Sequence, residues 1–142
     1  MGGMQMKTVA IPGRYCNYER VTVANPLNLR LCDGSHFEPR HEIVEYAKYE
    51  RLVDDMSERG WSGPPIVADV EACRAVTGSH RIPAAHSAGI TAPAVDLADL
   101  TEKCGVDLQK FVARYGELEF ALPALCDRLP SRITDAYGLD IY

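Results

Sequence analysis

A turn between a predicted strand and a predicted helix carries three side chains that could bind an anion. Gly78 follows the strand-like residues 74–77 and precedes a hydroxyl, an imidazole and a guanidinium at Ser79, His80 and Arg81. The first N–H groups of a helix have no partner inside the helix, so this turn would offer backbone donors beside these side chains. The pattern is typical of an anion site, most often one for phosphate.

Two of these side chains suit phosphate in different ways. Arg81 has a planar guanidinium that can donate two hydrogen bonds and stays charged near neutral pH. His80 could donate to a phosphate oxygen or assist a leaving group. The alternative is a purely structural turn, with Ser79 as the helix cap, Arg81 at the surface and His80 bonded to the backbone.

Residues upstream of the turn could complete such a site. Apolar side chains at helical spacing predict a helix over residues 43–59 that ends at Gly60. Lys48 on this helix could reach the same phosphates. Glu42, with Glu45 as a substitute, could take a proton from an acceptor hydroxyl. A solvated lysine and an acidic residue that favours a helix start are the alternatives.

Short strands and helices must position these residues. Strands are predicted at residues 66–69, 74–77 and 93–96, with a helix from 80 to 86 that stops at Gly89 and holds Pro83 in its first turn. Residues 7–11 and 19–24 are predicted to pair as a hairpin, and residues 25–40 are predicted to be irregular. Helices are predicted at residues 107–115 and 117–129, with a last turn at 133–137.

Length and composition restrict the class of protein. The 142 residues suffice for one domain with a proper core. The net charge of −5 disfavours a general affinity for nucleic acid or anionic membrane, although residues 1–40 are net positive. No apolar run approaches the ~20 residues that cross a bilayer, and the first residues lack the pattern of a signal peptide.

The five cysteines are widely spaced and include no Cys-x-x-Cys pair. With no export signal, they indicate reduced thiols, and we expect a cytoplasmic protein with no membrane partner. No metal site is expected, because the one cluster, Cys32, His36 and His41, lacks the spacing of metal ligands.

The order of these motifs resembles the ParB/sulfiredoxin superfamily, which includes the N-terminal domain of the partition protein ParB, sulfiredoxin and a free serine kinase. The resemblance covers residues 40–97 best and rests on the Pro-Pro-Ile-Val run at 64–67 and the Thr-Gly-Ser-His-Arg turn. It implies an α+β fold in which helices pack on a small mixed sheet. Residues 1–97 would form the ParB/sulfiredoxin-like domain, and residues 98–142 a helical extension packed on the same domain.

Individual motifs are similar to different members of the superfamily. Sulfiredoxins have a Gly-Cys-His-Arg loop, here with Ser79 in place of the cysteine, and a lysine before Leu-Val-Asp, which corresponds to Lys48. In the family, this lysine and the His-Arg pair hold nucleotide phosphates. The serine kinase has an aspartate where Thr77 stands and a catalytic glutamate that corresponds to Glu42. Without the loop cysteine, reduction of sulfinic acid through a thiol intermediate is not expected.

The resemblance implies a nucleotide-binding protein, and we predict a nucleotide-dependent phosphotransferase or nucleotide hydrolase. The ligand would be ATP, ADP or another nucleotide, with any Mg²⁺ held through the nucleotide, and the acceptor a small molecule or a macromolecule. The predicted phosphate-binding residues are Lys48, Thr77, Gly78, Ser79, His80 and Arg81, and the predicted catalytic residues are Glu42 and His80. A DNA-associated ParB-like regulator, disfavoured by the net acidic C-terminal third, and a non-catalytic nucleotide sensor are the alternatives.

Overall fold

The structure of the chain is a computed structural model, which describes residues 23–139. In chain order its elements are β1 (Cys32–Asp33), α1 (Tyr46–Arg59), β2 (Ile66–Asp69), β3 (Arg74–Ala75), α2 (Arg81–Ala88), β4 (Pro93–Asp96), α3 (Leu97–Lys103), α4 (Leu108–Tyr115), α5 (Leu118–Arg128) and α6 (Ser131–Tyr137). The described residues therefore have the α+β class that we expected. Within them, none of the helices combines the length and apolar character that a membrane crossing needs.

The four strands form one mixed sheet in the order β1-β4-β2-β3. The central strands β2 and β4 run parallel, with Val67 opposite Val95. The outer strands β3 and β1 are antiparallel to β2 and β4, respectively. A small mixed sheet, as the sequence predicted, therefore lies at the centre of the fold.

Each face of the sheet packs against different helices. Side chains along a strand point alternately to the two faces. Ile66 and Ala68 therefore pack with α1 and α2 on one face. Val67 and Val95 pack on the other face with the C-terminal helices, where Leu125 and Ile133 belong to the same apolar cluster. Helices α3–α6 thus contribute directly to the core around the sheet.

Small side chains allow α2 to lie close to the sheet and to α1. Ala84 and Ala85 are fully buried, together with Met56 and Trp61 at the end of α1. Close packing of this kind fixes the start of α2 relative to α1. These are the two elements that carry the predicted anion-binding residues.

Most element positions agree with the sequence prediction. Strands β2 and β4 have the predicted bounds, and α1 and α2 end at Gly60 and Gly89, as expected. Helices α4, α5 and α6 lie within two residues of their predicted bounds. The predicted hairpin at residues 7–11 and 19–24 lies outside the described residues, except for residues 23 and 24, which are not in a strand.

Other predictions were wrong in their details. Strand β3 ends at Ala75 rather than at residue 77, because the N–H groups of Val76 and Thr77 both donate to the carbonyl oxygen of Val67 and the regular ladder stops. Residues 25–40, predicted to be irregular, contain the short strand β1. Helix α3 lies in the segment predicted to be helical but had no predicted bounds of its own; it follows β4 directly and is capped by Asp96, whose carboxylate accepts a hydrogen bond from the N–H of Ala98.

The two helices near the predicted site begin later than predicted. Helix α1 begins at Tyr46 rather than at residue 43, because Glu45 is still extended, with φ −123° and ψ 95°. Helix α2 begins at Arg81, and His80 rather than Ser79 is the residue before its first turn. Pro83 is the third residue of α2, within the first turn, as expected.

Candidate functional site

Gly78 allows the turn after β3 to lie directly on β2. Its φ of +84° falls in the left-handed region, and a Cβ at this position would lie 2.9 Å from Cγ1 of Ile66. Its carbonyl oxygen accepts a hydrogen bond from the N–H of Ile82 at 2.9 Å, which closes the first turn towards α2. The sequence therefore needs glycine here both for backbone conformation and for space.

The backbone donors after Gly78 are available to a ligand. Within residues 23–139, the N–H groups of Ser79, His80 and Arg81 donate no hydrogen bond to another residue. They lie at the beginning of α2, where the helix dipole favours negative charge. These three groups lie at the turn where the sequence predicts an anion site, although α2 itself begins at Arg81.

The two hydroxyl side chains of the turn hold backbone groups of the protein. Oγ of Ser79, which is buried, accepts a hydrogen bond from the N–H of His41 at 3.2 Å. Oγ1 of Thr77 accepts one from the N–H of Val67 at 3.0 Å. Each hydroxyl still has its own hydrogen to donate. Their observed roles are to join the turn to the segment before α1 and to β2.

His80 joins the turn to the start of α1. Its Nε2 accepts hydrogen bonds from the backbone N–H groups of Val44 and Glu45, both at 3.2 Å. An imidazole nitrogen that accepts a hydrogen bond carries no proton, so the proton of the neutral ring is on Nδ1. His80 thus anchors the two residues that precede α1, whose N-cap residue, Glu45, makes no side-chain hydrogen bond to cap the helix.

The surroundings of His80 favour its neutral form. Burial lowers the pKa of His80 below its ordinary value of 6.5, and electrostatic interactions with Lys48 and His41 lower it further, against an opposing effect of Glu45. The charge of Lys48 therefore acts on the turn through His80. The His41 ring lies edge-on to that of His80, with 5.7 Å between the ring centroids.

Arg81 is held by contacts within the protein. Its guanidinium carbon lies 4.0 Å from the centre of the Trp61 ring, and Nη2 donates to the carbonyl oxygen of Ser62 at 2.9 Å. Burial lowers the pKa of Arg81 to about 10, so the group remains charged at neutral pH. The guanidinium of Arg81 therefore adds positive charge near the start of α2, and its stacking on Trp61 restricts its orientation.

Glu42 and His41 lie in the segment that precedes α1. Glu42 is exposed, and its backbone carbonyl oxygen accepts a hydrogen bond from Nδ1 of His41 at 2.8 Å. A carbonyl oxygen only accepts, so Nδ1 of His41 carries a proton and is the donor. The sequence prediction named Glu42 as a catalytic residue and considered His41 only as part of a metal cluster that it rejected.

Taken together, the site is rich in hydrogen-bond donors and positive charge. Three backbone N–H groups, Nδ1 of His80 and the ammonium group of Lys48 are all donors. In the described part of the chain, no group of three or more metal-ligating side chains is arranged to hold a metal ion. Cys32, Cys73, Cys104 and Cys126 are free thiols. The arrangement can bind and partly neutralise an anion.

Comparisons with known proteins provide no relative from which a role could be transferred. No protein-family model, curated protein or solved structure matches this chain. The function is therefore argued from the chemistry of the turn and its neighbours.

Proposed function

We propose that the chain binds a nucleotide at the turn 77–81 and Lys48, and that it acts as a phosphotransferase or nucleotide hydrolase. The observation that carries this proposal is the set of N–H groups of Ser79, His80 and Arg81, which have no partner among residues 23–139 and lie at the start of α2. Phosphate oxygens are the ligands that such a set of donors fits best.

The neighbouring side chains support phosphate over a neutral ligand. Lys48 is close enough to oppose a positive charge on His80, so it would also attract a phosphate bound beside that ring. Nδ1 of His80 adds a donor. Phosphoryl transfer asks a protein mainly to position the phosphates and to stabilise their charge, which these groups are suited to do. Arg81 contributes through its charge, because Trp61 and Ser62 hold its side chain.

A ParB/sulfiredoxin-like fold is part of the proposal. Its support is the arrangement of a mixed sheet with α1 and α2 on one face and a glycine turn between β3 and α2. In that superfamily, a glutamate before the helix serves as base in the serine kinase, and Glu42 would take this role. Any Mg²⁺ would be held mainly by the nucleotide phosphates.

Nucleotide titrations of a lysine variant and a matched control test the proposal. ATP and ADP should raise the unfolding midpoint of the wild-type chain, because a ligand of the native state stabilises it. Lys48→Met should weaken nucleotide binding in calorimetry by about tenfold, the size of one lost charge-assisted contact. Lys110→Met, at an exposed position of α4, should leave it unchanged. Absence of binding for every nucleotide tried, or equal binding by both variants, would overturn the proposal.

A non-catalytic nucleotide sensor is the second candidate. It is favoured because Nε2 of His80 and the guanidinium of Arg81 already form hydrogen bonds within the protein and are therefore less able to take part in catalysis. Glu42→Gln separates the two candidates. An enzyme that uses Glu42 as base should keep nucleotide affinity in this variant and lose turnover. A sensor should bind nucleotide with no turnover in either protein.

A further inference from the structure

A cleft in two parts lies between the β2–β3 turn and the helices α4 and α5. The first part has a volume of about 210 Å³ and is lined by charged residues and by Val76 and Leu122. The second part, of about 370 Å³, is lined mainly by apolar residues such as Leu108 and Val112, with the acidic residues Asp69 and Glu71 at the edge formed by the β2–β3 turn. The two parts share Asp69 and Leu118. None of the residues assigned to the nucleotide site lines either part.

Two of the charges in the first part are paired with each other. Nε and Nη2 of Arg40 both donate to Oε2 of Glu119, at 3.0 and 2.6 Å. The hydrogen bond from Arg40 lowers the pKa of Glu119, and Arg40 and Arg74 lower it further through their charges. Arg40 and Glu119 therefore form an ion pair in the lining of the first part at neutral pH.

Arg74 and Glu117 also line the first part, and neither belongs to the ion pair between Arg40 and Glu119. Arg74 is exposed and forms no ion pair within residues 23–139. Glu117, the residue before α5, makes no side-chain hydrogen bond to cap that helix. The first part thus offers the guanidinium of Arg74 and the carboxylate of Glu117 to a ligand, and Asp69 is a further carboxylate in the lining of both parts.

We propose that this cleft binds a free α-amino acid with an apolar side chain. The carboxylate of the ligand would pair with Arg74, since a guanidinium can bind a carboxylate through two hydrogen bonds. The ammonium group would lie towards Glu117. The side chain would enter the second part, against Leu118 and Val112, where apolar surface is removed from water. A simple anion would be repelled by Glu117 and Glu119, and a simple cation by Arg74.

Blocked derivatives of one amino acid test whether both charges are recognised. In calorimetry, L-leucine or L-phenylalanine should bind to the full chain. N-acetyl-leucine lacks the ammonium group and leucinamide lacks the carboxylate. Each should bind about tenfold more weakly or worse than leucine, because each leaves one charge of the cleft without a partner. Equal binding of the blocked derivatives, or no binding of any apolar amino acid at millimolar concentration, would overturn the proposal.

Two variants test where the amino acid binds. Arg74→Met and Glu117→Gln should each weaken leucine binding by about tenfold, since each removes one charge that faces the ligand. The controls Arg51→Met and Glu58→Gln lie at exposed positions of α1, and they should bind leucine like the wild type. Wild-type affinity in both cleft variants would contradict the assignment. An unchanged unfolding midpoint without ligand shows that the variants fold, and nucleotide titrations test the other site independently.

Discussion

Nε2 of His80 accepts a hydrogen bond from the backbone N–H of Glu45 at a distance of 3.2 Å. A second one, from Val44, reaches the same nitrogen. The turn after β3 and the start of α1 are therefore fixed to each other by one neutral imidazole. Because Lys48 lies in the first turn of α1, this contact also holds the lysine beside the proposed phosphate position.

Removal of the His80 ring should destabilise the fold. His80→Ala leaves the N–H groups of Val44 and Glu45, which precede α1, without their acceptor, and loss of such a hydrogen bond costs about 0.5–1.5 kcal/mol. The free energy of unfolding from urea titration should fall by that amount. His86→Ala, at an exposed position of α2, should have a much smaller effect. If the two variants are equally stable, these hydrogen bonds to His80 do not stabilise the fold.

The stability of the chain should depend on pH through His80. The pKa of His80 is lower in the folded state than its ordinary value of 6.5, so below that value the unfolded state binds more protons. The contribution of His80 to the free energy of unfolding is at its maximum above about pH 6.5 and is lost as the pH falls through the pKa of the folded state. The free energy of unfolding of His80→Gln should therefore fall less between pH 7 and 5 than that of the wild type. His86→Gln should follow the wild-type profile, and identical profiles for all three proteins would refute the effect.

Elements with a strong local signal could be predicted from the sequence. Strands β2 and β4 are short apolar runs, and Gly60 and Gly89 are clear helix stops. Helix α3 has no such signal, because it follows β4 without a glycine or proline between them and its cap, Asp96, is also the last residue of the strand. The start of α1 depends on the distant His80, and a local pattern does not contain that contact.

Arg81 and Trp61 should contribute to stability as a pair. Arg81→Met removes the contact between guanidinium and ring and the hydrogen bond to Ser62, which together are worth about 1–3 kcal/mol when partly buried. Trp61 is the one tryptophan of the chain, so its fluorescence reports this contact directly. The emission spectrum should shift in the native state, and the urea midpoint should fall. An unchanged spectrum and midpoint would show that the stacked contact contributes nothing.

A comparison of two glycines tests the close contact of the turn with β2. Both Gly78 and Gly89 have positive φ, at +84° and +74°, so alanine at either position costs about 1–2 kcal/mol in backbone strain. Only at Gly78 would the added Cβ also meet Ile66, at 2.9 Å. Gly78→Ala should therefore lower the free energy of unfolding more than Gly89→Ala. Equal losses in the two variants would show that the turn can move away from β2 without cost.

The sequence could suggest residues for a candidate site but not all of the contacts that the structure gives them. Residue types and helical spacing suggested that Lys48 and the turn 77–81 lie together, and the electrostatic effect of Lys48 on His80 agrees with this. The sequence did not reveal that Trp61 and Ser62 hold Arg81, because that contact depends on how the end of α1 packs on α2. The proton on Nδ1 of His80 likewise follows only from hydrogen bonds that its Nε2 accepts from the segment before α1.

The most direct test of the nucleotide proposal observes the three backbone N–H groups themselves. In ¹⁵N-resolved NMR spectra of the full chain, titration with ADP should shift the amide signals of Ser79, His80 and Arg81 more than those of α4 and α5, because the phosphates would accept hydrogen bonds from these groups. Adenosine, which has no phosphate, should leave the three signals in place. If ADP does not move them, or if adenosine moves them equally, the turn 77–81 is not a phosphate-binding site.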